Sequence, residues 1–137
     1  MRLRDIMSEA VETIPADATV DQARETMRRH DIRHVVVVEG GAMVGVVSAH
    51  DLRRAKSKTS VRGAMSAPVV TATPQANVRQ AANLMRGNHV NCLPILDEQR
   101  RVVGIVTVAD LLDLIGKGVT REREDENRKP TSYVPGR

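Results

Sequence analysis

Two short motifs in this chain pair a hydroxyl side chain with an aspartate three residues later. One pair is Ser48 and Asp51, and the other is Thr107 and Asp110; each follows a β-branched run and precedes apolar residues at helical spacing. This order predicts a strand that ends where a helix begins. The spacing is also typical of a capping box, in which the hydroxyl and the carboxylate each accept a backbone N–H. Capping alone therefore accounts for the motif.

A ligand site is the second interpretation of the same two motifs. The free N–H groups and the positive dipole end of a helix N-terminus favour phosphate, and a carboxylate one turn into the helix can accept from two ribose hydroxyls. A single copy favours the cap, whereas repetition of the whole pattern favours a nucleotide-type site. Both interpretations stay open at this point.

The motifs belong to an internal duplication with an offset of roughly 58 residues. Met7-Ser8 returns as Met65-Ser66, and Gly45 returns as Gly104. In the first copy the patterns predict strands near residues 11–14, 32–38 and 43–47, the last two joined as a hairpin by a turn at Gly40-Gly41. They also predict a helix from about residue 20 to 30, preceded by a Thr19–Gln22 capping box, and a second helix opened by Ser48. Each copy is thus an α/β (α+β) unit of order β-α-β-β-α. We place the first in residues 1–58 and the second in residues 59–116.

One such unit is too small to bury both faces of its own sheet, so we expect the two to pack about a pseudo-twofold axis with paired clefts between them. Gly116 is a natural residue to end the last helix. Residues 117–137 are charged and contain Pro130 and Pro135, which predicts a disordered tail. The alternative is a partner-docking arm centred on Tyr133-Val134.

Composition limits the classes of ligand. The 137 residues carry 21 Lys+Arg against 17 Asp+Glu, are 41% hydrophobic and include one Tyr but no Trp or Phe. A flat ligand must therefore be held by aliphatic side chains and backbone, and the absence of stacking platforms argues against nucleic acid. An anion-binding or partner-binding patch and a solvated linker remain alternatives for one basic cluster, which comprises Arg53, Arg54, Lys56, Lys58 and Arg62.

Several other classes find no support in the sequence. The single cysteine, Cys92, cannot form an internal disulfide, and no leader or long apolar run is present, so we expect a cytoplasmic protein without a membrane span. His30 and His34 straddle a predicted helix end, so no metal site is expected. No nucleophile-base pair or glycine-rich phosphate loop is apparent, so we do not expect an enzyme.

The duplicated pattern resembles a tandem pair of cystathionine-β-synthase (CBS) domains, a Bateman module. The resemblance rests on Val-x-Thr at residues 11–13 and 69–71, on residues 32–36 and 90–94, and above all on the two copies of Gly-x-Val-Ser/Thr-x-x-Asp-Leu. It covers about residues 3–115. Such modules usually occur attached to enzymes, channels or transporters, and here the pair is expected to stand alone.

The resemblance implies a regulatory ligand that contains adenosine: AMP, ADP, ATP or S-adenosylmethionine, with Mg²⁺ as a companion of a polyphosphate and no catalytic cofactor. It assigns ribose and phosphate contacts to Ser48, Asp51, Thr107 and Asp110. It brackets the adenine with Thr13, Ile14, Thr71 and Ala72 and lines an apolar wall with Val35, Val36, Leu93 and Pro94. Cations near the phosphate would be Arg33, His34 and His89.

The two copies differ within this pattern. Val35-Val36 of the first copy corresponds to Leu93-Pro94 of the second, so the second cleft is the favoured site. The expected function is a homodimeric module that senses adenine nucleotides and signals to an unknown protein partner by a conformational change. The alternative is a dimeric interaction scaffold without a nucleotide ligand, in which the capping boxes are only caps.

Overall fold

The computed structural model describes residues 1–123, and the side chains of residues 1–116. The predicted docking arm at Tyr133-Val134 lies outside the described residues. The elements are β1 (Thr13–Pro15), α1 (Val20–His30), β2 (His34–Glu39), β3 (Ala42–Ser48), α2 (Ala49–Leu52), α3 (Val78–Asn88), β4 (Cys92–Leu96), β5 (Val102–Thr107) and α4 (Val108–Arg123). This order confirms the mixed α+β fold and the β-α-β-β-α plan of the first copy.

The sheets of the two copies are built alike. In the first, β1 pairs in parallel with β2, and β2 forms an antiparallel hairpin with β3 through Gly40 and Gly41, both of which have positive φ. In the second, β4 and β5 form the hairpin, while the equivalent of β1 is reduced to a single parallel bridge between Ala72 and Ile95. The second copy therefore has one strand fewer than its sequence pattern predicts.

Helices α1 and α3 begin at reciprocal caps. Thr19 and Gln22 form a capping box before α1, as their spacing predicts, and Asn77 with Gln80 forms the equivalent box before α3. Both helices end at a non-glycine residue in the left-handed conformation, Asp31 with φ 55° and His89 with φ 56°. The two copies thus share the turn that leads from helix to strand.

The beginning of each copy crosses over to the other copy. Leu3 is fully buried in the core of the second copy, and its N–H donates to the Ala76 carbonyl at 2.8 Å. Val61, at the equivalent position, is fully buried in the core of the first copy, and its N–H donates to the Ala18 carbonyl at 2.8 Å. The packed units therefore exchange two segments: residues 1–8 of the first copy pack on the second, and residues 59–66 of the second copy pack on the first.

In each exchanged segment, a methionine side chain packs against a glycine of the opposite copy. A Cβ atom added at Gly104 would lie 2.8 Å from Met7 Cγ, and one added at Gly45 would lie 2.8 Å from Met65 Cγ. These contacts are closer than real Cβ atoms allow, so a larger residue at either position would force the methionine side chain to move. The motif Gly-x-Val-Ser/Thr therefore begins with a packing residue.

A shared core joins the two copies. Its buried residues are Val36, Val46 and Cys92, and half-buried side chains from both copies surround it: Val11, Val38, Met43, Val69, Val102 and Ile105. Each copy also has a separate core of its own beneath its helices. The sheets are thus covered on both faces, as aliphatic β-branched runs predict.

The prediction that Gly116 ends the last helix is wrong. Helix α4 continues from Val108 to Arg123, and the backbone at Gly116 does not adopt a positive φ. A glycine inside a helix costs only about 1 kcal/mol, which the continued hydrogen bonding of the helix outweighs here. The predicted tail therefore begins with helix over residues 117–123.

Candidate functional site

Both Ser/Thr-x-x-Asp motifs form complete capping boxes. The Ser48 N–H donates to Asp51 Oδ2 at 2.8 Å, and the Asp51 N–H donates to Ser48 Oγ at 3.0 Å. In the second copy the Thr107 N–H donates to Asp110 Oδ2 at 2.8 Å, and the Asp110 N–H donates to Thr107 Oγ1 at 3.2 Å. The capping interpretation is confirmed for both motifs, and each cap holds its carboxylate in place.

The two caps open helices of very different length. Helix α2 has 4 residues, whereas α4 has 16. The Arg24 guanidinium helps to close α2, because it donates to the Leu52 carbonyl at 2.7 Å and to the Ala55 carbonyl at 3.2 Å. Since peptide dipoles add along a helix, the N-terminus of α4 carries the larger positive end.

A cleft of about 650 Å³ lies beside the start of α4. It lies within the size range of small-molecule sites. Both copies contribute to it. Its lining residues are Ser8, Ala10, Val11, Glu12, Asp31, Ile32, Arg33 and His34 from the first copy in sequence, and Asn91, Ile105, Thr107, Val108, Ala109 and Asp110 from the second.

Four of the predicted site residues meet in this cleft. Thr107 and Asp110 come from the start of α4, Arg33 directly precedes β2, and His34 is the first residue of β2. Oδ2 of Asp110 accepts the cap hydrogen bond, and among residues 1–116 no side-chain or backbone donor contacts Oδ1. A ligand can therefore approach a carboxylate that is already oriented.

The predicted adenine-contacting residues do not line this cleft. Val35 and Leu93 are fully buried, each in the core of its own copy, and Val36 is buried in the shared core. Pro94 is also fully buried, Ile14 and Ala72 are buried, Thr71 is half-buried and Thr13 is exposed. These residues are buried because other parts of the protein pack against both faces of β2 and β4.

Ser48, Asp51 and His89 also lie outside the lining of this cleft. The charge of Asp51 nevertheless acts on His34 and on Cys92, so the first cap faces the beginnings of β2 and β4. The cleft instead contains residues that the motif analysis did not single out, including Ser8, Glu12, Asp31 and Asn91. Only the recurrence of Met-Ser at the crossed segments pointed towards Ser8.

Two groups near the cleft have pKa values altered by burial. Burial is the main reason that the His34 pKa lies below its ordinary value of 6.5; Asp51 opposes this shift and Arg33 adds to it. The imidazole is therefore neutral at pH 7. Burial raises the pKa of the Cys92 thiol to about 12, and the Asp51 charge adds to the rise. Cys92 is a packing residue of the shared core and an unreactive thiol.

Neither a metal cluster nor a membrane span emerges from the part of the chain that the structure describes. Within residues 1–116, whose side chains the structure describes, no group of three or more His, Cys, Asp or Glu side chains is placed to hold a metal ion. Over residues 1–123, no helix combines the length and apolarity needed to cross a bilayer.

The fold and the cleft define a tandem-repeat α/β module with a cleft lined by both of its copies. The family model for the CBS domain matches the chain twice, over residues 3–58 and 61–117. The chain belongs to the CBS domain family and is a tandem CBS pair, as the sequence motifs predict.

Curated proteins that resemble the chain are much longer than it. Among curated proteins, a homoserine O-acetyltransferase of Methanococcoides burtonii is 34% identical over 115 residues, which are 82% of this chain and 24% of that protein. The chain spans about a quarter of the length of the curated relatives it matches. The activities in their names therefore belong to much longer proteins.

Solved structures show the same fold. A CBS domain pair in complex with 5′-methylthioadenosine and S-adenosyl-L-methionine has a TM-score of 0.81 and 29% identity, covering 86% of this chain and 98% of that one. The cytosolic domain of the Mg²⁺ channel MgtE in complex with ATP has a TM-score of 0.69 and 32% identity, covering 80% of this chain and 46% of that one. Both relatives hold adenosine-containing ligands.

Proposed function

We propose that this CBS pair is a regulatory module that binds an adenosine-containing ligand in the cleft at Thr107 and Asp110. AMP, ADP, ATP and S-adenosylmethionine are the candidate ligands, with Mg²⁺ accompanying a polyphosphate. Ligands of this chemical class in two solved relatives support the proposal. The module has no catalytic role of its own in this proposal.

The observation that carries the proposal is the position of Asp110. Its carboxylate is held by the cap at the start of a long helix and lines a cleft of about 650 Å³. A fixed carboxylate can accept from the two hydroxyls of a ribose, while the Ala109 N–H and the Thr107 hydroxyl lie at the helix N-terminus for a polar substituent. The half-buried Val11, Ile32, Ile105 and Val108 would form the apolar wall for adenine.

The chain path suggests how binding is transmitted. The backbone of Ser8 pairs with Ile105 of the second copy, and the Glu12 carbonyl accepts from the Val36 N–H of the first copy. Residues 8–12 thus connect the two packed units and also line the cleft. A ligand that contacts this connection would change how the units pack, and a partner protein would detect the change. We place this signalling in the cytoplasm.

Asp110→Asn tests the site directly. Asparagine keeps an oxygen that can accept the Thr107 N–H, so the cap survives while the charge and the paired acceptors are lost. Ligand at a hundredfold excess over its Kd should stabilise the wild type by about 2.7 kcal/mol, which raises Tm by several degrees. We expect at least one of the four candidate ligands to raise Tm, and Asp110→Asn to remove most of that rise.

Asp51→Asn is the matched control, because it makes the same change in the first cap, outside the lining of this cleft. It should retain the ligand-induced rise in Tm. An equal rise in the wild type and in Asp110→Asn would place the ligand elsewhere. No rise with any of the four ligands would argue against the proposed function.

One observation favours the second candidate function, a dimeric interaction scaffold. Leu112 and Ile115 on α4 are 63% and 60% exposed, an unusual state for large apolar side chains three residues apart on one helix. If a second copy covers them, Leu112→Asp with Ile115→Asp should convert the dimer to monomer in sedimentation analysis. A scaffold predicts that dimer without any response of Tm to nucleotides.

A further inference from the structure

The cleft beside α4 carries an unbalanced charge. Its lining includes three carboxylates, those of Glu12, Asp31 and Asp110, and a single guanidinium, that of Arg33. The remaining titratable group of the lining, His34, has a lowered pKa because it is largely buried, and Arg33 lowers that pKa further. With the imidazole neutral at pH 7, the lining has a formal charge of −2.

Two of these carboxylates lie outside the family motif. Glu12 is half-buried, and its Oε1 lies 3.5 Å from His30 Nε2, which carries charge only when protonated. Asp31 is the exposed residue that ends α1. Neither has a recorded arginine or lysine partner among the described residues. Their charges are therefore not cancelled by a fixed cation.

The acidic pair is confined to one copy. At the offset of the duplication, Val70 stands where Glu12 stands, and His89 stands where Asp31 stands. Asp31 and His89 share the same left-handed backbone conformation, so the difference lies in side-chain chemistry and not in the turn. The fold therefore does not require a carboxylate at either position, and the two acids are particular to this cleft.

We propose that Glu12 and Asp31 make this cleft selective for adenosine ligands whose 5′ group is uncharged or cationic, and against those with a polyphosphate. The inference rests on the proposed function and narrows its ligand class. Each phosphate adds one to two negative charges at neutral pH, which the carboxylates repel and a single exposed Arg33 offsets only in part. A thioether or sulfonium nucleoside brings no such repulsion.

Calorimetric titration with two probes, 5′-methylthioadenosine and ATP, tests the selectivity. We expect the wild type to bind 5′-methylthioadenosine at least about tenfold more tightly than ATP at low salt. In the double variant Glu12→Gln with Asp31→Asn this ratio should fall about tenfold, mainly through tighter ATP binding. Both replacements keep side-chain size, and asparagine tolerates the left-handed backbone of position 31.

Glu9→Gln is the matched control, because Glu9 is an exposed acid close to the cleft in sequence but outside its lining. It should leave the ratio of the two Kd values unchanged. If both probes bind and the double variant keeps the wild-type ratio, or if ATP binds the wild type more tightly, the selectivity inference is overturned while the proposed function stands. If neither probe binds either protein, the selectivity inference is overturned, and the Tm measurement with the four candidate ligands decides the proposed function.

Discussion

At the scale of single residues, Asp110 completes a helix cap and is also the central carboxylate of the proposed ligand site. Its Oδ2 accepts the Thr107 N–H, so the helix cap is complete before any ligand arrives. Asp51 makes the same hydrogen bond without lining the cleft. The motif itself therefore does not separate a cap from a binding site. The surroundings of the carboxylate separate them, and in the second copy these surroundings form a cleft.

His34 should make the stability of the fold depend on pH. Because burial holds its folded-state pKa below 6.5, the unfolded chain takes up a proton at a higher pH than the folded chain does. Stability is thus full above the unfolded pKa and falls as the pH drops towards the folded pKa. We expect the free energy of unfolding, measured in urea, to fall less steeply from about pH 7.5 to about pH 5.5 in His34→Asn than in the wild type.

His50→Asn is the control for this titration, because His50 is exposed and lies outside the cleft lining. It should keep the wild-type slope. Equal slopes for His34→Asn and the wild type would show that His34 does not contribute to the pH dependence.

At the scale of elements, the two copies differ most in the helix that follows the cap. Helix α2 ends after one turn, and Arg53 and Lys56 stand where the longer helix α4 has the apolar residues Leu112 and Ile115. Leu111 of α4 is buried in the second core, which gives that helix a packed face. The longer helix therefore has the stronger dipole, and its first residues line the cleft, whereas the shorter helix leads into the linker.

Gly116→Ala distinguishes a continued helix from a terminated one by the sign of its effect. Within α4, alanine should raise the free energy of unfolding by about 0.5–1 kcal/mol, because it favours helix more than glycine does. At a left-handed end residue, the same change would lower stability. Thermal unfolding followed by circular dichroism measures the sign.

Gly87→Ala in α3 provides the reference, since neither Gly87 nor Gly116 has an atom within 4 Å of an added Cβ. Both variants should be stabilised by similar amounts. Destabilisation by Gly116→Ala alone would mean that α4 ends at residue 116 in solution.

At the scale of the whole molecule, the exchange of segments joins the copies into one structure. Leu3 completes the core of the second copy and Val61 completes that of the first, while residues 8–12 connect the packed units and line the cleft. Changes in the packing of one copy are therefore carried to the other through the chain itself as well as through the shared core.

Leu3→Ala should destabilise the copy that is distant in sequence. Removing a fully buried leucine side chain costs about 2–5 kcal/mol. By hydrogen exchange, we expect the largest loss of protection in α3, β4 and β5 for Leu3→Ala, and in α1, β2 and β3 for the matched variant Val61→Ala. Loss confined to the first copy in Leu3→Ala would contradict the exchange.

The sequence by itself determined the features that depend on neighbouring residues: the duplication, the starts of the helices at Thr19, Ser48 and Thr107, and the hairpin turn at Gly40-Gly41. These follow from hydrogen bonds and dihedral preferences within a few residues, so their signals are local. The same signals established the family through the two CBS motifs.

Only the tertiary structure decided which residues surround the cleft. It buried four predicted adenine contacts, Val35, Val36, Leu93 and Pro94, and it brought Glu12 and Asp31 to the cleft that Asp110 also lines. Those contacts join residues far apart in the chain, and they depend on which face of each strand is covered and on the crossing of residues 1–8. The spacing of apolar residues along a strand or helix predicts that a side chain is buried, but it does not predict which copy the side chain packs against. Packing between the copies supplies that choice.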